Sequence, residues 1–217
     1  MEPIEEILKF LERDDLIFEW STLDVPFAVP FELRPEDFMA FAKEDLEENT
    51  ERSMVNALSN IKRAIDCRIL SLLYFFGVYN KAKRENWNFP KNTDFLSRIG
   101  VLAPNILKKI NRKRNELEHD FKKPTSEEVT DYFDVAILFL GSTNHFLQKT
   151  LSDYSILTKD FMKKGQPWLL LKLNYEKELV QLEFIKEDSS KKLEIPVDNE
   201  DSYIKIVIHL VKHILNR

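Results

Sequence analysis

The sequence predicts a mainly α-helical protein: a helical bundle over residues 35–150, an acidic helix and proline-rich wrap before it over 1–34, and a small β-hairpin-containing α+β appendage after it over 165–217. Three observations predict this class. Apolar residues step by three and four through Met54, Leu58, Ile61, Ile65, Ile69, Leu72 and Phe76, the spacing of a helix that buries one face. The same period returns through Val129, Tyr132, Phe133, Ala136, Phe139, Leu140, Thr143 and Leu147. After Gly165-Gln166-Pro167 it changes, and Leu169 to Leu173 and Leu179 to Ile185 alternate as strands do.

Each element follows from local chemistry. Residues 3–13 read as a short helix. Pro26, Pro30 and Pro35 then punctuate an aromatic segment holding Phe18, Trp20, Phe27 and Phe31; prolines this dense favour an extended wrap over a helix. Pro35 suits a first helical turn, with Glu36 and Asp37 complementing its positive end. Helical pattern continues to Phe76, broken somewhere in the acidic stretch Glu44 to Glu51, and Gly77 stops it. Residues 78–90 read as a loop anchored by Trp87 and Phe89, and a short helix over 92–99 precedes Gly100. Pro104 opens the next helix and Pro124 closes it. Thr125-Ser126-Glu127-Glu128 is a capping box, Thr125 being the cap. In the tail, Asn174-Tyr175-Glu176-Lys177 is the hairpin turn, 192–197 a third strand, and 202–215 a closing helix.

Composition narrows the function classes. With 217 residues and 43% hydrophobic content the chain can bury a sizeable core, so wholesale disorder is excluded. Cys67 is the single cysteine, which rules out an internal disulfide framework and a multi-cysteine zinc site and fits a reducing, cytoplasmic setting. Apolar runs fall short of the roughly 18 residues a membrane span requires, and the acidic start Met1 to Glu6 is unlike a secretory signal; the expectation is a soluble, non-exported protein. Charge is uneven: residues 1–50 carry −11 and the remainder +6. The acidic segment reads as a solvated surface, with shielding of a basic patch as the alternative.

That basic patch lies at 108–123, where Lys108, Lys109, Arg112, Lys113, Arg114, Lys122 and Lys123 outweigh Glu116, Glu118 and Asp120 by +4. Within it stands Arg114-Asn115-Glu116-Leu117-Glu118-His119. Arginine stays protonated and offers a planar fork of donors to phosphate oxygens, whereas histidine changes charge near neutral pH. The pairing suits phosphodiester chemistry without a metal. Asn115 and His119 share a helical face, while Arg114 and His119 are about 140° apart around the axis, a gap that a long side chain or a second subunit closes. Arg114 also takes a slot in the apolar stripe of Ile106, Ile110, Leu117 and Phe121, placing a charge on a packing face. Lys108, Arg112, Asn115, His119 and Lys122 form the neighbouring stripe. By residue type alone, Arg114 and Glu118 are also an ordinary i,i+4 ion pair, and His119 complements a helix end.

The motif resembles the R-polar-x-x-x-H signature of the HEPN superfamily, all-helical proteins that include metal-independent endoribonucleases of defence and toxin-antitoxin systems. Residues 57–66 look like an early HEPN helix, and Glu118 to Pro124 look like the usual exit from the motif; the resemblance covers roughly residues 36–150. It implies a HEPN-like bundle and a metal-independent endoribonuclease acting as a homodimer. In it His119 would move protons, Arg114 would stabilise phosphoryl charge and Asn115 would orient either group, with Lys108, Arg112 and Lys122 binding RNA. The same resemblance leaves two other readings open. One is a non-catalytic module that binds RNA or a nucleotide, or serves as a scaffold. The other is a toxin restrained by a nucleotidyltransferase-type antitoxin.

Other residues carry less. His209 and His213 are four apart, but no HExxH or cysteine set accompanies them, and the reading assigns no metal and no cofactor. His145 and Cys67 read as structural. Lys62, Arg63 and Asp66 either support the motif from the preceding helix or form a solvated face. Trp168, Tyr175 and Phe184 either stack bases or pack the hairpin. A P-loop, a dinucleotide-binding glycine motif and a nucleophile elbow are absent from the sequence.

Overall fold

The computed structural model describes residues 3–23, 26–101, 111–112, 115–116, 123–148, 150–187 and 189–215. The class is α+β: helices dominate the N-terminal two thirds, and a five-stranded antiparallel sheet carries the C-terminal part.

Helix α1 (Pro3–Leu11) precedes strand β1 (Leu16–Leu23). Helix α2 (Pro35–Glu48) opens on proline, as expected, and the Arg34 backbone N–H donates to Asp37 Oδ2 at 2.7 Å. The break expected between Glu44 and Glu51 falls at Asn49, which takes a left-handed φ of 50°. Thr50 then caps α3 (Glu51–Phe75): its Oγ1 accepts from the Ser53 N–H at 3.1 Å, and Ser53 Oγ accepts from the Thr50 N–H at 2.9 Å. Gly77, with φ +67°, ends the run after the cap residue Phe76, a conformation glycine adopts without a Cβ penalty. The stripe from Met54 to Phe76 is buried throughout, so α3 is the central helix, with α2 and the later helix Ser126–Thr143 packed along it.

Three readings are corrected. Residues 78–90 contain a helix, α4 (Tyr79–Arg84), because Lys81 and Ala82 are pulled inward and Lys81 Nζ donates to the Val197 carbonyl at 3.2 Å. This partner is 116 residues away, so no local pattern announces it. Leu16–Leu23 is a strand and not part of the wrap: the prolines all lie beyond it, and Leu16 and Phe18 face the core while Ile17 and Glu19 are exposed. Thr150–Thr158 is strand β2, where no strand was expected. Its inward positions Tyr154, Ile156 and Thr158 alternate, but Leu157 is buried on the other face beside Phe161, Met162 and Trp168, which blurs the period.

Helices α5 (Phe89–Arg98) and α6 (Ser126–Thr143) follow the expected positions. The capping box of α6 is formed, with the Thr125 N–H donating to Glu128 Oε2 at 2.9 Å and the Glu128 N–H to Thr125 Oγ1 at 3.2 Å. A short 3-10 turn, Asn144–Phe146, leads to β2. The hairpin of β3 (Trp168–Asn174) and β4 (Leu179–Lys186), then β5 (Ser189–Pro196) and α7 (Glu200–Leu215), complete the chain.

The sheet order is β1-β2-β3-β4-β5, so the N-terminal strand pairs antiparallel with β2, Leu16 opposite Thr158, with a bulge at Ser21/Thr22. One face is charged, with Lys172, Gln181, Glu183, Lys192 and Glu194. The other, with Leu169, Leu171, Leu173, Val180, Leu182 and Phe184, is buried. Phe10 of α1 packs on Phe184 at 5.2 Å between ring centroids. Sheet and helices share one hydrophobic cluster, joined where Phe146 meets Phe75 and Phe76 and where Phe27 meets Tyr175. The wrap over 26–34 is as expected, pinned by Phe27 against Phe75 and by Phe31 against Tyr79. Among the described residues, no helix is long and apolar enough to cross a membrane.

Candidate functional site

Of the motif segment, Asn111, Arg112, Asn115 and Glu116 are described, and all four are helical. Arg114, His119, Lys108 and Lys122 lie outside the described residues. Arg112 is exposed, with Nε 3.7 Å from Glu116 Oε1 one turn on. Asn115 is half-buried. Past the motif, Lys123 Nζ meets Glu51 Oε2 at 2.7 Å. That exposed surface pair places the exit of the segment beside the first turn of α3, and Pro124 and Thr125 then lead the chain into α6.

The three α3 residues considered as supports separate into two environments. Lys62 is buried; it pairs with Asp66 and lies 4.6 Å over the Phe89 ring, so its charge is held between α3 and the start of α5. Arg63 Nη1 donates to Asn60 Oδ1 at 3.0 Å, and Asn60 Nδ2 donates to Asp45 Oδ2 at 2.9 Å, a chain that leads across to α2. The acidic stretch of α2 is thus partly matched by α3.

The aromatic trio of the hairpin packs inward. Phe184 is buried against Phe10, and Tyr175 lies against Phe27 and Tyr74, with desolvation raising its phenol well above the ordinary range. Trp168 is half-buried beside Phe161 and Met162. Hairpin packing, and not a row of exposed rings, is the arrangement found.

Burial lowers the pKa of both described imidazoles. The His145 ring lies tilted against Phe146 at 4.1 Å between centroids, and among the described residues its Nε2 is buried without a partner. For His209 desolvation is the main cause, Lys212 acts in the same direction and Glu12 opposes it. The His213 side chain lies outside the described residues. Among the described residues no group of three or more His, Cys, Asp or Glu is placed to hold a metal ion.

Arg68 is the residue sequence reasoning passed over. It is 2% exposed in the middle of α3, its Nη2 meets Glu36 Oε1 at 2.6 Å, and among the described residues its Nε and Nη1 have no partner. The signal was present. Arg68 stands three after Ile65 and four before Leu72, a charge on a packing stripe, which is the same irregularity that singles out Arg114.

No family model matches the chain, and no curated protein and no solved structure matches it significantly.

Proposed function

We propose that the protein is a HEPN-like, metal-independent endoribonuclease acting as a homodimer. The observation that carries the reading is the run Arg114-Asn115-x-x-x-His119 within a segment of net charge +4. Helical backbone at Asn111, Arg112, Asn115 and Glu116, and a surface ion pair from Lys123 to Glu51 at the start of α3, support it. Phosphodiester cleavage by a 2′-hydroxyl needs a group to move protons and a fixed cation for the charge that develops on phosphoryl oxygens. His119 takes the first role and Arg114 the second, with Asn115 orienting the imidazole or the phosphate. Lys108, Arg112 and Lys122 hold the RNA backbone, and two motifs meet across a twofold axis. A nucleotidyltransferase-type antitoxin is the proposed restraining partner.

The test is incubation of the purified full chain with total RNA in excess chelator, beside an Arg114→Ala, His119→Ala double variant. Cleavage by the native chain alone supports the proposal. Binding without cleavage moves the reading to a non-catalytic RNA-binding module, and a strictly monomeric mass by light scattering removes the composite site.

A further inference from the structure

A cavity of about 260 Å³ lies between the wrap over 26–34, α3 and the turn after α6. Its apolar wall is Phe27, Val29 and Leu147, fixed by the Phe27 N–H donating to the Leu147 carbonyl at 3.1 Å. Its polar side holds Arg34, Arg68, Asn144 and Gln148. Among the described residues one carboxylate, Glu36, stands against the two guanidinium groups, so their lining carries a net positive charge.

The chemistry of Arg68 makes this more than a crevice. A buried guanidinium has five N–H donors to satisfy, and native interiors rarely leave such donors unmet. Each fork of the group combines Nη2 with one of the other two nitrogens. Glu36 engages Nη2 through a single oxygen, and among the described residues Nε and Nη1 have no partner, so both forks are half-filled. Glu36 is a poorly committed partner, since its side chain is 61% exposed while that of Arg68 is 3% exposed. Burial also works against the charge on Arg68, and a second anionic oxygen would relieve that cost.

We infer that this cavity is an oxyanion-binding site, with Arg68 as its floor and Arg34 at its mouth, taking a phosphate or carboxylate group of a small ligand. The incoming anion fills a fork bidentately and releases Glu36 to solvent. Asn144 and Gln148, both exposed amides at the rim, offer further donors, and the apolar wall receives the non-ionic part of the ligand. The cavity is near the small end of ligand pockets, which favours a compact metabolite over a polymer. This inference does not rest on the motif at 114–119.

The test is thermal denaturation and calorimetric titration of the full chain with sodium phosphate and with sodium acetate, each against sodium chloride at equal ionic strength. At least one oxyanion should raise Tm in proportion to the logarithm of its concentration. A response to phosphate alone assigns phosphate esters, a response to acetate alone assigns carboxylates, and a response to both assigns the general oxyanion. Arg34→Ala, at an exposed position, should leave Tm in chloride unchanged and weaken binding by roughly tenfold, the scale of one charged hydrogen bond. Glu36→Gln should tighten it by removing the competing carboxylate. A purely structural Arg68–Glu36 pair predicts the opposite: lower Tm in Glu36→Gln with no anion-specific recovery. That result, or identical curves in all three salts for the native chain, overturns the site.

Discussion

Tyr203 donates its phenolic hydrogen to the Phe76 carbonyl at 2.5 Å, joining the first turn of α7 to the end of α3 across 127 residues. Both groups are buried, and Gly77, with φ +67°, turns the chain directly beside them. The bond is one tie between the C-terminal part and the central helix, beside the hydrophobic cluster they share. Tyr203→Phe keeps the ring and leaves a buried carbonyl unmet, so stability should fall by about 1–3 kcal/mol. Urea denaturation should show a lower midpoint with an unchanged slope; an unmoved midpoint would mean the carbonyl finds another partner.

Lys81 is the second tie between the two parts. Its buried ammonium reaches the Val197 carbonyl at 3.2 Å, Asp198 at 3.4 Å, Glu200 at 3.8 Å and Glu85 at 3.9 Å. Lys81→Met preserves the stem and strips the charge from among three carboxylates. Loss of one partner from a buried ionic group costs about 3–5 kcal/mol, reduced here because Asp198 is largely solvated. Added salt should restore part of the loss by screening the carboxylates, and a loss independent of salt would point to packing alone.

How much of this could be read from the residues depended on whether the physics was local. Proline at the start of α2, glycine after α3 and the Thr125–Glu128 box act within a turn, and each element begins or ends where those residues said. The stripes of α3 and α6 are equally local. Strand β1 was not legible because its partner, β2, is more than a hundred residues away, and Leu157 hides the alternation of β2 itself. Helix α4 depends on the same kind of distant contact, through Lys81. Arg114 was noticed because a charge on an apolar stripe is conspicuous next to a histidine; Arg68 breaks its stripe in the same way but has no such neighbour. For Arg112 and Asn115 the structure gives a helical setting, while Arg114, His119, Lys108 and Lys122 lie outside the described residues, so the motif remains a matter for solution chemistry.

Acid should weaken the fold in two separable stages. Burial pushes His209 below its ordinary 6.5, and His145 likewise. A group whose folded pKa is depressed costs nothing above its unfolded value; as pH falls through about 6.5 the unfolded chain takes the proton first and stability declines until the folded pKa is passed. Hydrogen bonds from Lys191 to Glu6 and from Trp87 to Glu85 hold those carboxylates below 4.5, so their contribution is lost only in stronger acid. Measured between pH 7.5 and 5.5, the stability of His209→Gln should therefore vary less than that of the native chain. An equal slope in the two would show that the imidazole takes up its proton alike in the folded and unfolded chains within that window.

The basic stripe makes a prediction that is independent of catalysis. If Lys108, Arg112 and Lys122 follow RNA phosphates, the affinity for a single strand should fall steeply with salt, and each neutralisation should lower the log–log slope by roughly 0.7. Arg112 is the clearest single case, because its side chain is 76% exposed and its contact with Glu116, at 3.7 Å, is a weak surface pair. Arg112→Ala should thus leave thermal stability intact while flattening the salt dependence. Undiminished affinity in the triple alanine variant would remove the stripe from the proposal.

His119→Ala separates chemistry from folding most sharply. A histidine near a helix end contributes about 1 kcal/mol or less through the dipole, whereas loss of a general acid or base slows a reaction by about 10² to 10⁴-fold. The variant should therefore melt close to the native protein yet lose cleavage in chelator. Arg114→Ala should lose cleavage too, with weaker RNA binding or dimerisation as a second effect, since the proposal gives that fork to phosphate and the sequence spacing puts it on an apolar stripe. Comparison at matched thermal stability decides between the readings: equal rates for native and His119→Ala protein would end the catalytic assignment. Lost cleavage with retained RNA affinity would leave the imidazole as the proton carrier and the arginine as the group that holds the phosphate.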